Sequence, residues 1–185
     1  VVSGRYFREK QQFDFEVLSG NNEKIRTSGD GITSDWNFNP VLTHRVNDRT
    51  KLTARFYATQ YRTETRLVNP ATDTLYYTDN FYQAFSRPEL NLEHFAGQHA
   101  LTFGAGANLE SVETGRYGVA VMRGQETTYG FAQDEWTPSE RMNVIAGLRF
   151  DYNTVYGSQL SPKLSLRYEL GKNISLKASY GVGFK

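Results

Sequence analysis

From Gln98 to Glu110 apolar and polar positions alternate almost without a break. His99, Leu101, Phe103, Ala105, Ala107 and Leu109 fall on one face, and Gln98, Ala100, Thr102, Gly104, Gly106, Asn108 and Glu110 on the other. Period-two alternation is the mark of a half-buried strand. The same split returns over 141–153, where Met142, Val144, Ala146, Leu148, Phe150 and Tyr152 share a face, and over 161–170 and 172–185. Upstream, Leu52, Ala54, Phe56 and Ala58 form one such set, as do Trp36, Phe38, Pro40 and Leu42, and Phe13, Phe15 and Val17. Segments 80–95 and 126–137 alternate less cleanly, and 23–28 reads as a weak strand. No window shows a convincing 3.6-residue period. The prediction is an all-β, antiparallel up-and-down chain of about ten strands.

The connections predict two unlike ends. Short turns are expected near 19–22, 47–49, 96–98, 137–140 and 171–172, and longer loops near 29–32, 67–79, 113–125 and 154–160. Short turns at one end and long loops at the other characterise transmembrane β-barrels. Strand length agrees. A strand of ~12 residues tilted ~40° covers about 30 Å, the hydrocarbon thickness of a bilayer. Strands of soluble proteins usually run ~5–6 residues.

Composition narrows the choice. Among 185 residues are 12 Tyr, 12 Phe, 2 Trp and 16 Gly, a profile that suits strands. The absence of Cys excludes a disulfide scaffold, a zinc ribbon and a cysteine nucleophile. A formal net charge of +1 argues against a nucleic-acid partner. No run approaches the ~18 apolar residues of a transmembrane helix. The chain opens Val1-Val2-Ser3 with neither an initiator Met nor a signal-peptide layout, and reads as processed or as a piece of something larger.

In a membrane barrel the apolar face meets lipid and the polar face lines the interior. Lys163, Arg167 and Glu169, on alternate positions of one strand face, suit an enclosed wet or plugged lumen. Tyr6, Phe7, Trp36, Tyr82, Trp136 and Tyr156 would then form the interfacial girdles. The competing reading is a soluble, adhesin-like β-sandwich. It predicts that Leu101, Phe103, Leu164 and Leu166 are buried between two sheets.

The last sixty residues carry a further signal. In order they read Tyr129-Gly130-Phe131-Ala132-Gln133-Asp134-Glu135-Trp136, Ile145-Ala146-Gly147-Leu148-Arg149-Phe150-Asp151, Leu160-Ser161-Pro162-Lys163-Leu164-Ser165-Leu166-Arg167-Tyr168, and Leu176-Lys177-Ala178-Ser179-Tyr180-Gly181-Val182-Gly183-Phe184-Lys185. This series resembles the barrel of TonB-dependent outer-membrane receptors, nearest the siderophore, haem and cobalamin branch. The resemblance covers 126–185 firmly and the rest loosely. It implies that residues 1–185 form part of a 22-stranded barrel in the bacterial outer membrane. It further implies that a plug domain, absent from this sequence along with the C-terminal strands, would engage TonB for uptake of an iron complex. Outer-membrane lipid and a surface lipoprotein are further partners it suggests. A cobalamin receptor of the same family and a small ten-stranded outer-membrane enzyme are the alternatives.

The sequence carries little recognisable chemistry. His44, His94 and His99 lack metal-ligand spacing, and rim positions are expected for them. Gly104-Ala105-Gly106 lies within a strand with no helix after it, so it is no phosphate loop. No catalytic set, metal site or resident cofactor is expected. Gly147, Gly181 and Gly183 read as small lumen positions, and Arg149 and Asp151 as lumen charges. For ligand recognition the best candidates lie in the long loops: Tyr76, Tyr77, Asn80 and Tyr82 in one, Arg116, Tyr117 and Arg123 in the next. Aromatic rings beside guanidinium groups suit an anionic, planar ligand such as a catecholate iron complex or a haem.

Overall fold

The computed structural model describes residues 1–18, 20–115, 121–171 and 173–183. Nine strands form a single sheet: β1 (Val2–Leu18), β2 (Lys24–Asn47), β3 (Thr50–Asn69), β4 (Thr74–Ala96), β5 (His99–Thr114), β6 (Val121–Ser139), β7 (Met142–Asn153), β8 (Gly157–Gly171) and β9 (Ile174–Gly181). Their order in space is their order in the chain, and every neighbouring pair is antiparallel. No helix occurs among the described residues.

Among the described residues the count is nine, not ten, because the expected loop at 29–32 is strand. The weak strand at 23–28 and the one at 35–43 are a single β2. Gly29 pairs with Phe13 on one side and Leu67 on the other. A Cβ at Gly29 would collide with the Arg66 carbonyl, so glycine here permits a close approach of two backbones rather than a turn. Once β2 is continuous, the connection at 19–23 moves to the other end of the sheet. It joins 70–73 and 154–156 there. The two-residue turns at Asp48-Arg49, Gly97-Gln98 and Glu140-Arg141 mark the opposite end. Gly97, at φ 63°, takes the left-handed conformation that its turn demands. Most of the loops expected at 67–79, 113–125 and 154–160 are also strand. The sheet continues past the membrane, where polar side chains on both faces leave no alternation to read.

Directly paired residues point to the same side, so the register assigns the faces. Phe103, Ala132, Leu148 and Pro162 form one cross-strand row, and Leu101, Asp134, Ala146, Leu164 and Tyr180 the next. Leu52, Leu92 and Phe103 continue the same face across β3 to β5. This face is apolar and uncovered: Leu90 is 50% exposed, Leu164 52% and Tyr180 68%. Leu101 and Leu166 are only half-buried. No second sheet lies over them, so the sandwich reading fails. On β7 the outward set Met142–Tyr152 rises about 25 Å, the height of the apolar band of an outer-membrane barrel.

The apolar band ends where Tyr6 pairs with Trp36 and Trp36 with Gln60. One row farther out stand Arg8, Ser34 and Arg62. Outward charge pairs follow: Lys10 with Asp30 at 3.0 Å, Asp14 with Arg26 at 2.5 Å, and Glu16 with Lys24 at 3.0 Å. The Arg26 guanidinium, hydrogen-bonded to Asp14, holds that carboxyl below its usual range. Polarity thus reverses along β1. Phe13, Phe15 and Val17 face inward with Asp35 and Asn37, contrary to the expectation that the apolar set meets lipid throughout. Beyond the hydrocarbon the outside is water, and the charged side turns to it. Phe7 shares the inward face and is not a girdle residue. Tyr6, Trp36 and Trp136 face outward, as expected.

Candidate functional site

The inward face is where side chains converge. Gly106 pairs with Glu89 on one side and Tyr129 on the other, and the row extends to Arg55 and Asp151. Because Gly106 has no side chain, the Tyr129 ring reaches over β5. Its hydroxyl donates to Glu89 Oε2 at 2.7 Å. A Cβ at Gly106 would stand 2.6 Å from that hydroxyl oxygen and 2.7 Å from the Pro88 carbonyl oxygen. Glu89 also accepts from Asn91 Nδ2 at 2.7 Å and from Arg55 at 3.4 Å. Arg149 lies over the Tyr129 ring at 3.9 Å and makes a two-pronged contact with Asp151, at 2.7 to 3.0 Å. Arg149 and Asp151, read as lumen charges, thus pair with each other within their own strand. Gly104 performs the same service for Phe131, whose ring fills the space a Cβ would need. Tyr129, Asn91 and Asp151 are buried on this polar side.

Toward the long-connection end the wall turns aromatic. Tyr57 packs on Phe85 at 6.0 Å and Tyr61 on Phe81 at 6.1 Å. Arg87 stands 5.3 Å from the Phe85 centroid and donates to Asn108 Oδ1 at 2.8 Å. Beside them Glu110 accepts from Gln83 at 3.3 Å and Gln125 at 2.7 Å. Below, Gly147, Gly181 and Gly183 leave a groove of about 500 Å³ lined also by Phe131, Arg149 and Lys163. These glycines do leave lumen space, since a Cβ at Gly147 or Gly181 would make only ordinary contacts.

The expected ligand cluster is divided by this geometry. Tyr76, Tyr77, Asn80 and Tyr82 lie in β4, and Arg123 in β6, not in loops. Tyr77 pairs with Leu67 and faces inward, and Arg123 faces inward through its pairing with Val112. Asn80 and Tyr82 pair with Glu64 and Arg62 and face outward, where they line a depression with Arg62, Glu113 and Met122. Tyr76 occupies the bulge opposite Leu67 and Val68. Arg116 and Tyr117 lie outside the described residues. Tyr57, Tyr61, Phe81, Phe85 and Arg87 escaped the sequence reading. Their signal was the inward parity of β3 and β4, which holds aromatic residues where a lumen face should be polar. Among the described residues no group of three or more His, Asp or Glu is placed to hold a metal ion.

The family model described as TonB dependent receptor-like, beta-barrel, covers residues 2–185. The chain belongs to this family. An iron-regulated outer membrane virulence protein of Vibrio cholerae is 28% identical over 92 residues, which are 48% of this chain and 14% of that protein. The ferric enterobactin receptor of Pseudomonas aeruginosa is 13% identical, over 96% of this chain and 42% of that one, with a TM-score of 0.49. The siderophore receptor PirA of the same organism is 16% identical over 93% and 38%, with a TM-score of 0.47. The toluene transporter TodX of Pseudomonas putida is 9% identical over 96% and 63%, with a TM-score of 0.49. The chain therefore spans a small part of the curated relative and under half of the two siderophore receptors. As a TonB-dependent receptor barrel it resides in the outer membrane, and its family is one of receptors and transporters rather than enzymes.

Proposed function

We propose that this chain forms part of the wall of a receptor that takes up an iron complex. The inner wall binds the ligand on its inward path, and TonB supplies energy through a plug domain. The observation that carries the reading is the inward aromatic ladder Tyr57–Phe85 and Tyr61–Phe81 beside Arg87. Rings and a guanidinium on a water-filled wall suit a planar, anionic ligand. Tyr77, Arg116, Tyr117 and Arg123 remain candidates for first contact. The outward direction of Asn80 and Tyr82 gives them less support.

The test is ligand affinity in the intact receptor. Arg87→Ala combined with Tyr61→Ala should weaken a ferric catecholate by about tenfold or more, from the loss of one charged contact and one stacking surface. Alanine at Tyr77, Arg116 and Arg123 should add a smaller loss. Unchanged affinity for ferric catecholate, haem and cobalamin in the Arg87/Tyr61 variant would remove the wall from the binding path.

A further inference from the structure

The outward face carries one charge where lipid should meet only apolar groups. From the row Phe56–Pro88–Ala107–Thr128–Tyr152 down to the short turns, Asp134 is the only Asp, Glu, Lys or Arg on that face among the described residues. A carboxylate on the lipid side costs little near the interface but is uncommon there, so what it does is set by its partners. Asp134 is held by His99, with Nδ1 2.7 Å from Oδ2. The His99 ring lies flat on Trp136, 5.9 Å between centroids and 4° between planes. All three are partly exposed. Nδ1 is engaged by the carboxylate, which leaves His99 Nε2, a donor when the ring carries both protons, and the Trp136 indole N–H for a further partner at the membrane boundary. Asp134 stands at the edge of a groove of about 370 Å³, lined also by Lys163, where Ala132 and Ala146 hollow the same face between Leu101, Phe103 and Leu148.

We infer that His99, Trp136 and this groove bind a phospholipid of the leaflet at the short-turn end. Its phosphate sits on His99 and the indole N–H, and one acyl chain lies in the groove. Asp134 is a positioning residue that fixes the imidazole. A ring that bridges a carboxylate and a phosphate carries both protons and donates from both nitrogens. The occupant is a lipid because the groove is continuous with the apolar band and opens to the bilayer. The inference is independent of which ligand the receptor transports.

The test is native mass spectrometry of the intact receptor in detergent with phosphatidylglycerol, chain-matched diacylglycerol or inorganic phosphate. Phosphatidylglycerol should be retained, diacylglycerol should not, and inorganic phosphate should fail to displace the bound lipid. His99→Gln should reduce retention about tenfold, the worth of one charge-assisted hydrogen bond. Trp136→Phe should reduce it less, and His99→Arg, which keeps a cationic donor, should restore it. Equal retention of diacylglycerol, displacement by inorganic phosphate, or wild-type retention in His99→Gln would each overturn the site. If His99→Gln does not fold, the wild-type competition decides alone.

Discussion

The contact of Tyr129 with Glu89 across Gly106 allows a quantitative test of how the inner wall is held. Gly106→Ala places a Cβ against the Tyr129 hydroxyl and the Pro88 carbonyl. The phenol must swing away, which breaks its hydrogen bond to Glu89 and lifts it from Arg149. A hydrogen bond to a charged group contributes about 1.5–3 kcal/mol, and a cation–π contact about 0.5–2 kcal/mol. Glu89 keeps Asn91 and Arg55, which argues for the lower ends. The expected loss for Gly106→Ala is therefore about 2 kcal/mol, plus what the Pro88 contact costs. Tyr129→Ala removes both interactions and leaves room for the new methyl group. The double variant should then be about 2 kcal/mol more stable than the sum of the two single losses. Equilibrium guanidinium unfolding of the receptor in micelles, followed by tryptophan fluorescence, measures each corner of this cycle. Additivity within about 0.5 kcal/mol would overturn this coupling, because the glycine would then be small for some reason other than the ring above it.

Other expectations follow from the faces and their edges. Leu148→Arg, midway along the lipid-facing set of β7, should destabilise by about 2–4 kcal/mol in a lipid-folding assay, whereas the inward Ser165→Arg should cost much less. Gly29→Ala should push β2 from β3 and cost more than about 3 kcal/mol, read as faster exchange of the amides paired between them. Acid should loosen the outer β1–β2 hairpin through Asp14. Its carboxyl is depressed in the folded chain, so the stabilisation is complete above the ordinary value near 3.8 and is lost as pH falls through the lower, folded value. The protection factors of amides in that hairpin, exchange rates normalised to the intrinsic rate at each pH, should be flat from neutral pH down to about 5 and should fall only in strong acid. Arg26→Ala should abolish this dependence.

How much was legible depended on how local the cause was. Alternation at 98–110 and 141–153 is a property of neighbouring residues, and both strands stand as read. The apolar side of β5 and β7 was also readable, because lipid rewards one face uniformly along that length. Outside the hydrocarbon that reward ends. Phe13 and Phe15 kept their alternation there but faced the other way, and only the unbroken register from Val2 to Leu18 shows it. Gly29 looked like a turn because a sequence cannot say whether a glycine bends its own chain or admits a neighbour's.

What the sequence determined alone was the element type, the up-and-down order, the lipid-facing side of the membrane strands and, through its motifs, the family. Each rests on spacing within a strand or on order along the chain. Tertiary structure decided which residues meet. Arg55, Glu89, Gly106, Tyr129 and Asp151 fall into one row because several hairpin registers add up across the sheet. The same addition sends Tyr77 inward and Asn80 outward. A shift of one residue in any pairing would exchange the faces of every strand beyond it, so these contacts are properties of the whole sheet.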